Sequence, residues 1–249
     1  MRNLKLVIRY DGTRYLGWQR QREADPRKPR TIQGKLEELL SRLTGERVAL
    51  IGASRTDAGV HAEGQVANFH TTSPLSHKEL LARCARYLPE DIAVVSVEET
   101  DPRFHARYLA RGKRYAYRIC TTPYPEVFRR RYTLRDPEPL DLAVMRSAAG
   151  LLIGEHDFRS FTSLKSKKKL TVRTLHALHI EVHAGGMELF FEGDGFLYNM
   201  IRIITGTLLE VGHGRFEPQE VGRILEAKDR SKAGPMAPAL GLCLLEVLY

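Results

Sequence analysis

Cysteine is scarce in this chain, and the three present, Cys84, Cys120 and Cys243, lie far apart with no Cys-x-x-Cys spacing and no Cys/His pairing. That distribution speaks against a disulfide framework or a thiolate zinc site and is expected of buried thiols in a reducing cytoplasm. Long apolar runs are missing as well. None approaches the roughly eighteen residues of a membrane span, and Met1-Arg2-Asn3-Leu4-Lys5 lacks a signal-peptide core, so a cytoplasmic protein off the membrane is expected. Negative charge is the other shortfall: 30 Asp and Glu face 39 Lys and Arg, a formal net charge of +9. Such an excess favours a polyanionic partner, because cations that neutralise phosphates release condensed counterions, although it also serves solubility.

The 249 residues suffice for one large or two smaller domains with a real core. Asn3 to Tyr10 alternates like a strand, and Asp11-Gly12 turns it. Thr13 to Thr31 is irregular, holds the single Trp18 and gathers Arg14, Arg20, Arg22, Arg27, Lys28 and Arg30; such a basic loop suits a polyanion, or a solvated face. Ile32 to Leu43 has helical apolar spacing and ends before Gly45. Strands are expected at Arg47 to Ile51, Gln65 to His70 and Ile92 to Val97, with a helix from the capping box Ser76-His77-Lys78-Glu79 to Leu88.

A second half follows Asp101-Pro102. It should hold a strand from Tyr108 to Cys120 with Tyr115 and Tyr117 on one face, a helix over Asp141 to Ile153, and strands at Val172 to Val182 and Met187 to Glu192. After these come an apolar helix from Phe196 to Val211, a short helix from Pro218 to Ala227 and a closing strand, Leu242 to Leu248. The expected fold class is α+β. Two ferredoxin-like, RRM-like halves, residues 1–102 and 103–249, would bring mainly antiparallel sheets together across a central catalytic cleft.

Gly52-Ala53-Ser54-Arg55-Thr56-Asp57-Ala58-Gly59-Val60-His61 is the stretch with most chemistry in it. It is polar, lies between two predicted strands, and at about a dozen residues is longer than the two to five of a simple hairpin. Asp and Gly are also ordinary turn formers. Arg202 stands among Met200, Ile201, Ile203 and Ile204, where a guanidinium needs a carboxylate or phosphate; Asp57 is one partner, a salt bridge elsewhere in the core another. Tyr115, in the basic strand Arg114-Tyr115-Ala116-Tyr117, could stack on a nucleic-acid base or simply fill core. Arg20, the stretch Phe104-His105-Ala106-Arg107 and the run Lys165-Ser166-Lys167-Lys168-Lys169 suit a sugar-phosphate backbone.

Taken in order, Tyr10-Asp11-Gly12, Gly17-Trp18-Gln19-Arg20-Gln21, Arg55-Thr56-Asp57-Ala58-Gly59-Val60-His61, Phe104-His105-Ala106-Arg107, Arg114-Tyr115, Phe158-Arg159-Ser160-Phe161, Met200-Ile201-Arg202 and Gly241-Leu242 resemble the TruA family, tRNA pseudouridine synthase I, nearly end to end. The resemblance implies Asp57 as catalytic nucleophile, Arg202 as its partner and Tyr115 stacking on the target uracil. It implies Arg55 assisting base flipping, Leu242 packing beside the site, a homodimer, no metal or organic cofactor, and uridines 38, 39 and 40 of the tRNA anticodon stem-loop as substrate. The loop from Arg22 to Ile32 departs from the family in being longer and more basic. Two other classes compete: a non-catalytic RNA-binding module, in which Asp57 is dispensable, and a metal-dependent hydrolase using Asp57 and His61, which lacks a further ligand at suitable spacing.

Overall fold

A computed structural model describes residues 1–21, 31–164 and 170–249. The chain runs β1 (Arg2–Tyr10), α1 (Ile32–Thr44), β2 (Ile51–Gly52), β3 (His61–Thr71), α2 (His77–Tyr87), β4 (Ile92–Thr100) and β5 (Gly112–Cys120). It continues through β6 (Leu134–Arg135), α3 (Leu142–Gly150), β7 (Gly154–Asp157), β8 (Val172–His183), β9 (Gly186–Gly193), α4 (Met200–Gly212), α5 (Glu220–Ala227) and β10 (Leu242–Leu248). Two compact units result: Met1–Arg111 with Cys243–Tyr249, and Gly112–Leu242.

In the first unit, β1 lies between β4 and β3, antiparallel to both, and β2 pairs antiparallel with β3. With a helix after β1 and another after β3, this is the β-α-β-β-α-β arrangement expected of a ferredoxin-like half. The alternation in β1 buries Leu4, Leu6 and Ile8, and α1 turns Ile32, Leu36, Leu39 and Leu40 inward. Thr31 caps α1 by accepting from the Gly34 N–H, and Gly45 closes it in the left-handed region at φ 73°. The Ser76/Glu79 capping box of α2 is present in both directions. β10 pairs parallel with the start of β3, Cys243 opposite His61 and Leu244 opposite Ala62.

The strand expected at Arg47 to Ile51 shrinks to the pair Ile51–Gly52. Val48 and Leu50 are buried as their apolar character requires, yet their backbone N–H groups are taken by side chains of α1, Val48 by Ser41 Oγ and Leu50 by Glu37 Oε1, both at 2.9 Å. A ladder therefore has no donors to use there. Phe104 to Arg107 lie in the first unit. Asn3 Nδ2 donates to the carbonyls of Asp101 and Phe104, both at 2.9 Å, and Asn68 Oδ1 accepts from the Ala106 N–H at 2.9 Å. Two buried amides thus bind that turn to β1 and β3.

The second unit is the antiparallel sheet β5-β9-β8-β7, with β6 parallel to β5. β5 starts at Gly112 rather than Tyr108, because residues after His105 curl into a turn, the Leu109 N–H reaching the His105 carbonyl. α4 starts at Met200 rather than Phe196, because Asn199 sits at φ 62°, where a right-handed helix cannot begin its turns. Its inner face buries Met200, Ile203, Ile204, Leu208 and Val211. At Gly206 a Cβ would lie 1.8 Å from the Pro235 carbonyl oxygen, so only glycine lets the segment before β10 cross the helix. Among the described residues, no helix is long and apolar enough to cross a membrane.

Candidate functional site

The Asp57 segment is shorter than expected. β3 begins at His61, so the connection runs from Ala53 to Val60, and His61 belongs to the strand. Gln65 zips its first residues: the buried amide accepts from the Ser54 N–H at 3.1 Å and donates to the Ser54 carbonyl at 2.9 Å, while the Ala53 N–H reaches the Val66 carbonyl at 2.8 Å. A turn follows, the Val60 N–H donating to the Asp57 carbonyl at 3.2 Å with Gly59 at φ 80°. Arg55 is exposed and Asp57 half-buried at the tip.

The segments after β1 brace this tip. The Tyr10 and Thr56 hydroxyls share a buried hydrogen bond of 2.8 Å, the Trp18 N–H donates to the Thr56 carbonyl at 3.0 Å, and the Gly59 N–H faces the Tyr15 carbonyl at 3.4 Å. Contact is close enough that two glycines are obligatory. A Cβ on Gly12 would lie 2.0 Å from the Val60 oxygen, and one on Gly17, at φ 89°, 2.6 Å from the Thr56 oxygen. Trp18 is buried against Gly52, where a Cβ would meet its ring nitrogen at 2.4 Å. Three motifs separate in sequence, Tyr10-Asp11-Gly12, Gly17-Trp18 and Arg55 to His61, therefore form one body holding Asp57. Sequence reasoning missed these bracing roles of Tyr10, Trp18 and Gln65; the clustering of glycines was the available signal.

His61 serves the same framework. It is buried, with Nδ1 3.1 Å from the Gly12 N–H and 3.2 Å from Asp11 Oδ1. As an acceptor, Nδ1 bonds Gly12; as a donor, it bonds Asp11. One proton decides between them. Either use ties β3 to the turn after β1.

In the second unit, Tyr115 and Tyr117 are buried on one face of β5, as the alternation predicted. Tyr115 meets Phe196 edge-on, with centroids 5.2 Å apart. Burial pushes the Tyr117 phenol well above its usual range, an effect the Arg202 cation opposes, and the hydroxyl donates to the Pro238 carbonyl at 2.7 Å. Arg202, in the first turn of α4, donates from Nε to the Ala237 carbonyl at 2.8 Å and from Nη1 to Asn199 Oδ1 at 3.3 Å. Those bonds fix the guanidinium's plane. Leu242, the first residue of β10, is buried.

The RNA-facing candidates are dispersed. Arg20 is exposed, with Nη1 3.7 Å from Glu37. Arg14 is committed to Asp91 at 2.6 Å. The Phe104 ring leans on Tyr249 at 5.1 Å under the Lys5 ammonium, His105 stacks on Tyr108 at 4.1 Å, and Arg107 is exposed. Lys165, Lys167, Lys168, Lys169 and the Arg22 to Arg30 stretch lie outside the described residues.

With this geometry in place, a family model described as tRNA pseudouridine synthase matches residues 6–109 and 148–249. Similar curated proteins include tRNA pseudouridine synthase A 1 of Clostridium tetani, 45% identical over 249 residues with all of both chains covered. They also include tRNA pseudouridine synthase A of Acetivibrio thermocellus, 47% identical over the whole of both chains, and that of Bacillus sp. strain KSM-64, 48% identical over 98% of each. An enzyme is thereby indicated in place of a passive RNA-binding module. The chain belongs to the TruA family of tRNA pseudouridine synthases, isomerases that convert uridine in tRNA to pseudouridine.

Proposed function

We propose that the chain isomerises uridines 38, 39 and 40 of the tRNA anticodon stem-loop with Asp57 as nucleophile, working in the cytoplasm as a homodimer without a metal in the reaction. The observation that carries this reading is the position of Asp57 at the tip of a loop braced from three sides. A reacting group held this way loses little freedom at the moment of attack. Arg202 is assigned as the cation that pairs with Asp57 and keeps it ionised, the state a nucleophilic carboxylate needs.

The reaction breaks the bond between ribose C1′ and uracil N1, turns the retained base and joins C1′ to C5, whose proton passes to solvent while N1 takes one up. As a nucleophile the carboxylate can attack C1′ or add to uracil C6; removing a ribose proton would instead make it a base. Extruding a stacked base costs a few kcal/mol. Arg55, exposed beside Asp57, is assigned to fill the vacated stack, Tyr115 to receive the uracil and Leu242 to pack beside it. Arg20, Phe104, His105, Arg107 and the Lys165, Lys167, Lys168 and Lys169 cations are assigned to the sugar-phosphate backbone.

Tritium release from C5-labelled uridine in unmodified tRNA tests the activity, and sequencing of the product tests the positions; absence of release, or pseudouridine only outside the anticodon stem-loop, would refute the proposal. Because the surface carries a net charge of +9, tRNA affinity should fall by at least about 100-fold between 50 and 200 mM salt, as counterion release at several phosphates requires. A flat salt titration would remove the cations named above from the interface.

A further inference from the structure

We propose that His213 and Glu138, with Asp136 behind them, bind a divalent transition-metal ion, zinc foremost, at the C-terminal end of α4. His213 follows the last residue of that helix, and its side chain is only 4% exposed. Nε2 lies 3.1 Å from Asp136 Oδ2, within hydrogen-bonding distance. Nδ1 is buried, has no hydrogen-bond partner, and faces Glu138 Oε2 at 3.6 Å. One ligand atom from each of the three residues can be chosen so that all lie within 4.8 Å of one another.

With the Nε2 proton given to Asp136, a neutral imidazole turns the Nδ1 lone pair towards a carboxylate oxygen. The buried Nδ1 then faces a carboxylate oxygen as an unpartnered acceptor, an arrangement that costs free energy unless something positive lies between them. A proton on Nδ1 fits poorly, since 3.6 Å is too long for a hydrogen bond. A zinc ion fits: bonds of about 2.1 Å to atoms 3.6 Å apart subtend about 118°, close to tetrahedral. Asp136 then takes the outer place in a carboxylate–histidine–metal relay, holding the tautomer and raising ligand basicity. Its own backbone is anchored, the N–H donating to the Cys120 carbonyl at 2.8 Å.

The surrounding charge favours a cation. Asp136, Glu138 and Glu210 gather here with the Arg215 guanidinium, which reaches Glu138 Oε2, the oxygen facing His213, at 2.6 Å and Glu210 at 3.0 Å and so leaves Oε1 as the alternative ligand atom. The negative end of the α4 dipole adds to the carboxylates. Glu138 is half-exposed, so water can complete the shell. The ion would clamp the segment after β6 to the helix whose first turn carries Arg202, about 16 Å along the axis.

The test is calorimetric titration of the full-length, chelator-stripped protein with zinc chloride, alongside thermal melting. One binding event per chain and a rise in Tm are expected. Glu138→Gln, at a half-exposed position that folding tolerates, should weaken binding at least tenfold; Asp136→Asn should weaken it 10- to 100-fold, as loss of an outer carboxylate does. Asp57→Ala should leave binding unchanged, which separates this site from the reaction. Cadmium-113 resonance should report an oxygen- and nitrogen-rich shell. No binding at saturating zinc, parental affinity in both carboxamide variants, or a sulfur-bearing shell from Cys84, Cys120 or Cys243 would overturn the proposal.

Discussion

Replacing Asp57 with Ala is expected to lower the single-turnover rate of tritium release by at least about four orders of magnitude, as loss of a covalent nucleophile does in other enzymes, while tRNA affinity stays close to the parent value. The two readouts separate because they depend on different residues. Affinity is spread over many backbone phosphates and cations, whereas the chemical step concentrates on one carboxylate. The fold should tolerate the change, since the segment is held by groups other than the Asp57 side chain: the Gln65 amide on Ser54, the Tyr10 hydroxyl on Thr56 and the Trp18 N–H on the Thr56 carbonyl. Asp57→Asn should behave alike, keeping the side chain's shape and losing its charge. Turnover within tenfold of the parent in either variant would sink the assignment of Asp57 as nucleophile.

Gly12→Ala is expected to be nearly as informative, although residue 12 is assigned no contact with substrate. The added Cβ would lie 2.0 Å from the Val60 carbonyl oxygen and 2.6 Å from its carbon, both rigid backbone atoms at the entry to β3. The loop must yield by more than 1 Å to reach an ordinary contact distance. Misplacing a reacting group by about that much can cost about 100-fold in rate, and overpacking of this kind typically costs about 1–3 kcal/mol of stability. We therefore expect kcat to fall about 100-fold with tRNA affinity largely kept, and a destabilisation of about 2–3 kcal/mol by urea denaturation. Gly45→Ala is the control. Its φ of 73° makes the substitution strained, but nothing outside its chain neighbours lies within 4 Å of the new Cβ, so stability should drop by about 1 kcal/mol with kcat unchanged. Equal kcat in the two variants would show that the brace supports the fold and does not position the carboxylate.

Where local pattern and tertiary environment agree, the elements were legible in advance. β1, α1, α2 and β10 carry clear periodicity and explicit end signals, Thr31 and Gly45 around α1 and the Ser76/Glu79 box before α2. Where they disagree, the pattern misleads. Val48 and Leu50 look like strand residues because they are buried, but their donors are consumed by Ser41 and Glu37. The apolar run from Phe196 reads as helix, yet Asn199 in the left-handed region delays α4 until Met200. The short strands β6 and β7 have too few residues to show any period.

By itself the sequence determined the α+β class, the family, and the identity of the residues that could do chemistry, because these depend on side-chain type and local spacing. Only the tertiary structure decided how Asp57 is held and why His213 has a nitrogen without a hydrogen-bond partner. Tyr10 and Thr56 are 46 residues apart and Asp136 and His213 are 77 apart; a hydrogen bond between such residues leaves no trace in local periodicity, since its geometry is set by how whole strands and helices pack.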